Sequence, residues 1–174
     1  MAIVWRAEMS IDGGVIDDDH KCLIGLVNDV DLIASGPTMQ LELSLVLAKL
    51  DAYARHHFER EERLQIATGF TFAQAHNKRH RSLMRELDTM RAKPAENWGS
   101  RRMDEFRLDL SDFLYHWLSD HILKVDRLMK PFVSEMRQLS RGSVPLAKAV
   151  ELSQDRPAVQ VLPSRTLPLP FSVR

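Results

Sequence analysis

The sequence predicts an all-α fold: an up-down-up-down four-helix bundle with an N-terminal arm and a Pro-rich C-terminal tail. Three observations predict it. Four segments carry apolar residues at alternating three- and four-residue spacing, as a helix does along the face it buries. Clusters of Gly, Pro and Ser punctuate the chain between those segments, and no stretch of useful length alternates as a half-buried strand would. Amphipathic helices joined by short loops pack as antiparallel neighbours.

Residues 1–15 read as an arm whose Trp5 packs on the bundle. After Gly13-Gly14 the first helix carries Ile16, Leu23, Val27 and Val30, with His20 inside the series. Asp17, Asp18 and Asp19 suit its first turn, where acidic side chains cap amides and oppose the dipole. Ser35-Gly36-Pro37 closes that helix, and the second carries Leu43, Leu47, Leu50 and Ala54, then His57, Glu61 and Leu64. Beyond Thr68-Gly69 the third runs through Ala73, His76, His80, Leu83, Leu87 and Met90. Pro94 through Gly99 separates it from the fourth, which runs Met103, Leu110, Leu114, Trp117, His121, Val125 and Leu128. Past Leu139 the composition changes, with Pro145, Pro157, Pro163, Pro168 and Pro170 crowded together. The expected division is therefore a bundle over 1–139 and a tail over 140–174, mobile or loosely docked, with one short helix from Val144 to Leu152.

Composition narrows the function. The 174 residues carry 24 Lys plus Arg against 24 Asp plus Glu, and a chain without a cationic excess is a poor partner for nucleic acid. A single cysteine, Cys22, excludes an intramolecular disulfide and a Cys-based zinc knuckle. The N-terminus has no basic segment followed by an apolar run, and no apolar stretch approaches the ~20 residues that span a bilayer. A cytoplasmic protein without membrane insertion is the expectation.

Polar residues occupy the buried stripes at six places: His20, His57, Glu61, His76, His80 and His121. A lone histidine on an apolar face is ordinarily a satisfied core residue. Each polar group buried without a partner, however, costs about 1–3 kcal/mol, so five histidines and a carboxylate in one small bundle need a common partner. Their positions agree with that. His20 lies near the start of the first helix, His57 and Glu61 near the end of the second, His76 and His80 near the start of the third, and His121 near the end of the fourth. In an antiparallel bundle those places share one end. The pairs His57/Glu61 and His76/His80 are four apart and so share a helical face. Imidazole with carboxylate suits iron, zinc, copper or nickel, and five histidines exceed what one tetrahedral zinc takes. A histidine-rich centre of two metals remains, because the Glu-x-x-His pairs of ferritin-like sites are absent, as are H-E-x-x-H, the P-loop and G-x-G-x-x-G.

These residues resemble the hemerythrin family in its bacterial single-domain form. The matching pieces are IDDDHKCLIGLVND around His20, HFEREE from His57, HNKRH from His76 and WLSDHILKVD from Trp117, with Trp5 in the arm. The resemblance implies two non-haem irons, with His76, His80 and His121 on one and His20 and His57 on the other. It implies that Glu61 and Asp126 bridge both, beside an oxo or hydroxo bridge, and that the iron with two nitrogens keeps a position open for dioxygen. Phe58, Trp117, Leu118 and Ile122 would wall the oxygen site, dry walls that slow autoxidation. Asp126 stands five after His121, about 140° around an ideal helix, with Val125 on the stripe. Either the helix widens there as a π-bulge does, or another acid such as Asp120 bridges, and the family spacing favours Asp126. His56 and His116 fall beside the stripes, and Cys22 reads as a bystander. The segment RLQIATGFTFAQAH departs from the family, which often has methionine and a Tyr-Pro pair there; Gln65 and Phe70-Thr71-Phe72 reshape the approach to the third helix.

The expected function is reversible dioxygen binding for storage, delivery or sensing. The alternatives are a di-iron redox enzyme acting on peroxide or nitric oxide, and an oxygen- or redox-responsive signalling module docking a protein partner through the tail or the Gln40–Ala48 face.

Overall fold

The computed structural model describes residues 2–33, 38–92 and 100–143. Four long helices make the frame: α1 (Val15–Leu32), α2 (Met39–Ala67), α3 (Ala73–Arg91) and α4 (Ser100–Lys124). A 3-10 turn at Ala7–Met9 precedes them, and a 3-10 segment at Asp126–Phe132 leads into a short helix α5 (Val133–Leu139). Helix α1 packs on α2 and α4, α2 packs on α3, and α2 also meets α4 across the bundle. Side chains fix the antiparallel sense: Asp31 near the end of α1 accepts from Ser111 Oγ in the middle of α4, while His20 near its start lies 3.3 Å from Asp126 beyond the end of α4. The described residues are helical and contain no strand, so the all-α four-helix bundle is the observed architecture.

The core follows the stripes. Leu23, Val27, Leu50, Leu83, Leu87, Leu110 and Leu114 are almost wholly buried in one apolar cluster filling most of the bundle. A second, smaller cluster of Ile11, Val15, Ile16, Leu64, Phe70, Met129 and Met136 closes the other end. The arm packs on α1 as the sequence suggests, since Ile3 N–H donates to Asn28 Oδ1 at 2.8 Å and Asn28 Nδ2 donates back to Ile3 O at 2.9 Å. Trp5 lies against the main core with Lys21 Nζ 5.2 Å above its ring.

Two local devices differ from the sequence expectation. The three aspartates do not share one capping role. Asp17 is buried and gathers the preceding loop, accepting from the backbone N–H of Ile11 at 2.7 Å and of Gly13 at 3.0 Å. The start of α1 is instead capped by Asp12, which accepts from Gly14 at 2.8 Å and Asp17 at 3.2 Å. That loop turns through Gly13 at φ 60°, where a Cβ would stand 3.0 Å from Arg137 of α5. The second difference is the end of α4, which stops at Lys124 rather than running on to Leu128. The 3-10 segment that follows contains Pro131, which removes a backbone donor, and Leu128 is half exposed. The loops at Ser35-Gly36-Pro37 and Pro94–Gly99, the helix expected over Val144–Leu152 and the Pro-rich tail from 144 on lie outside the described residues.

Candidate metal centre

Between the two apolar clusters lies a buried polar layer. Helix α1 brings His20 to it, α2 brings His57 and Glu61 one turn apart, α3 brings His76 and His80 one turn apart, and α4 brings His121. Asp126 completes it from the first residue of the 3-10 segment. None of the seven is more than 2% exposed. Their donor atoms fall into two groups: Glu61, His76, His80, His121 and Asp126 in one, and His20, His57, Glu61 and Asp126 in the other, each within 4.8 Å. Both carboxylates belong to both groups.

Distances across the layer are short. Asp126 Oδ1 lies 3.0 Å from Nε2 of both His76 and His121, and its Oδ2 lies 3.3 Å from His20 Nε2. Glu61 Oε1 lies 3.5 Å from His57 Nε2, and Oε2 lies 3.2 Å from His80 Nε2. His80 and His121 face each other Nε2 to Nε2 at 3.1 Å.

Asp126 reaches the layer by neither route weighed from the sequence. The chain leaves α-helical geometry at Val125 (φ −110°, ψ −57°) and tightens into the 3-10 segment, which swings the next side chain inward. No π-bulge is needed. Asp120 points away, 44% exposed and 3.0 Å from Lys124 Nζ.

Protonation follows from the crowding. Burial and the Asp126 charge push the Glu61 pKa up, but His57, His76 and His80 outweigh them and hold it well below 4.5. Burial likewise opposes ionisation of Asp126, and His121, His20 and His76 hold it well below 3.8. Burial pushes His76 down, yet the close carboxylates of Asp126 and Glu61 carry it up to about 9. His20 is raised in the same way, against its own burial, chiefly by Asp126.

The residues fit a cation. Nε2 of His20, His57 and His76, both Glu61 oxygens and both Asp126 oxygens are buried without a hydrogen-bond partner. At ~1–3 kcal/mol for each unsatisfied atom the layer is incomplete by itself. Five imidazoles and two shared carboxylates, without thiolate, are the donors of a nitrogen- and oxygen-ligated transition metal.

The outer ring nitrogens of His57, His76 and His80 have neighbours of different kinds, in roles the sequence reading missed. Glu62 Oε1 lies 3.1 Å from His80 Nδ1, and Asp19 Oδ2 lies 3.6 Å from His57 Nδ1 and 2.9 Å from Arg60 Nε. Gln65 Nε2 lies 3.0 Å from His76 Nδ1. A carboxylate next to a ligand-bearing turn was the available signal, in Asp19 beside His20 and Glu62 beside Glu61.

The four residues expected to wall an oxygen site are all buried in the main core, at 0–4% exposure. Phe58 stacks on His80 with ring centroids 3.9 Å apart and meets His121 at 5.4 Å and Trp117 at 6.3 Å. Trp117 Nε1 donates to Leu83 O at 3.0 Å. His56 and His116 are exposed, and burial pushes the half-buried Cys22 thiol pKa up.

Comparison with known proteins agrees with this layout. The Hemerythrin HHE cation binding domain family matches residues 14–133. The chain belongs to the hemerythrin family. It is 30% identical over 134 residues to the bacteriohemerythrin of Methylococcus capsulatus (strain Bath), covering 76% of this chain and 97% of that one. It is 27% identical over 126 residues to the bacteriohemerythrin of Pseudomonas aeruginosa (strain PAO1), covering 71% and 76%. That of Clostridium acetobutylicum (strain ATCC 824) is 24% identical over 127 residues, covering 71% and 95%. Membership of the hemerythrin family and the buried His/Glu/Asp layer together make this a non-haem iron protein. No helix among the described residues is long and apolar enough to cross a membrane.

Proposed function

We propose that the protein binds dioxygen reversibly at two non-haem irons, for oxygen storage, delivery or sensing. His76, His80 and His121 would hold one iron and His20 and His57 the other, with Glu61, Asp126 and an oxo or hydroxo group bridging. The observation that carries this reading is the pair of donor groups sharing both carboxylates but unequal in nitrogen, three against two. When bound, a ferrous pair supplies two electrons that can be lent to dioxygen and recovered.

The chain's own part begins with charge. Glu61 and Asp126 are ionised throughout the physiological range, so both bring anionic oxygens to the shared edge of the two groups. Histidines ligate with neutral rings, and the carboxylates at 3.0–3.8 Å that favour the protonated form of His20 and His76 would stabilise cations in place of those protons. Three imidazoles fill one side of the layer, and two on the other leave room for a small ligand. Phe58, whose ring lies 5.5 Å from that of His57 and also stacks on His80, would keep that region apolar and exclude water, which favours release of oxygen intact over loss of reduced oxygen species. One ring nitrogen of each histidine and both carboxylates are assigned to metal in this reading, which leaves none of the seven residues free as a general acid or base.

The test is an optical spectrum of the anaerobically iron-loaded protein, recorded on admitting air and again after purging with argon. A charge-transfer band that appears with air and fades on purging is the expected result. A band that forms once and does not reverse would replace this reading with the redox enzyme acting on peroxide or nitric oxide.

A further inference from the structure

Among the described residues Gln65 is the one uncharged outer partner of the layer, and it is fully buried. Its Nε2 lies 3.0 Å from His76 Nδ1 and 3.2 Å from Met129 Sδ, while its Oε1 has no hydrogen-bond partner. His76 turns its other nitrogen to the carboxylates, with Nε2 3.0 Å from Asp126 Oδ1 and 3.6 Å from Glu61 Oε2.

A ring that ligates through Nε2 must carry its proton on Nδ1, and a doubly protonated ring carries one there too. Only the neutral tautomer protonated at Nε2 presents a bare Nδ1 to an amide N–H, and that tautomer cannot bind metal through Nε2. The two ends of an amide are told apart by their partners alone. A half-turn of the carboxamide brings the partnerless oxygen to Nδ1 and gives both a hydrogen bond. We propose that Gln65 is a positioning residue for His76: its amide oxygen accepts the Nδ1 proton, and so fixes the ring in the tautomer and orientation that direct Nε2 at the metal. This rests on the metal reading above. It sets His76 apart from His80 and His57, whose outer partners are the carboxylates of Glu62 and Asp19. A neutral acceptor holds the ring without adding negative charge, so Gln65 orients His76 without strengthening it as a donor to the same degree.

The test uses the full chain and Zn2+ as a redox-inert probe. Affinity is measured by competition with a chelator for wild type, Gln65→Met and Gln65→Glu. Gln65→Met removes the acceptor at similar volume and is expected to bind zinc ~10–100-fold more weakly, while Gln65→Glu, an acceptor only, restores binding to within a few-fold. Independently of folding of any variant, the histidine nitrogen–proton correlation spectrum of zinc-loaded wild type is expected to show His76 protonated at Nδ1. Unchanged zinc affinity in Gln65→Met, or a bare Nδ1 in the loaded wild type, would overturn the role of Gln65 and leave the metal centre standing. A wild type that binds no zinc or iron would overturn the metal reading and this one with it.

Discussion

Asp126 and Asp120 are the same residue type six positions apart, yet one is buried against His20, His76 and His121 and the other pairs with Lys124 at the surface. Their asparagine variants therefore separate the two roles. Asp126→Asn is expected to lose at least half of the bound iron and Asp120→Asn to keep all of it, read as iron per chain. The titration of the layer gives a second expectation. In the metal-free protein His76, at about 9 against 6.5 unfolded, contributes stability fully present below pH 6.5 and lost as pH rises through about 9. Glu61 and Asp126, held below 4.5 and 3.8, contribute stability present above those values and lost as pH falls through their lowered native values. Metal displaces the histidine protons, so its stabilising effect grows over the range in which the proton's declines. The rise in melting temperature on adding Fe2+ anaerobically should be larger at about pH 8.5 than at about pH 6. Equal shifts at both would contradict the exchange of protons for metal.

Helix periodicity made most elements legible, because each long helix buries one face and that face repeats in the sequence. The convergence of five histidines and Glu61 was legible for the same reason: they sit on those faces, near helix ends that an antiparallel bundle brings together. Asp126 was legible only through its spacing in a known family, since what aims it inward is the departure from helix at Val125, which leaves no trace in a periodicity. Asp12 as the cap of α1 was hidden behind the more conspicuous acidic run that follows it. The short helix α5 was not separable from the bundle, yet it shapes the end that covers the metal layer. Met136 is fully buried in the smaller core, and Arg137 Nε donates to the carbonyl of Asp12. Met136→Ala is expected to lower stability by ~2–5 kcal/mol in urea unfolding. Deleting 144–174, by contrast, should leave iron content unchanged, because all seven residues of the layer and the described elements that cover it lie before residue 144.

At the scale of the whole molecule the polar layer divides two apolar cores of unequal size. The larger fills most of the bundle, and the smaller, built from the arm, the start of α1, the end of α2, the 3-10 segment and α5, closes the end beside the layer. Four helices and the 3-10 segment at Asp126–Phe132 each contribute at least one side chain to the layer, so metal bound there would tie all of them together. The most direct measurement of this arrangement is an anaerobic titration of metal-free protein with Fe2+, following bound iron against added iron. The account predicts saturation at two irons per chain, one for each donor group. Saturation at one, or no binding, would contradict it.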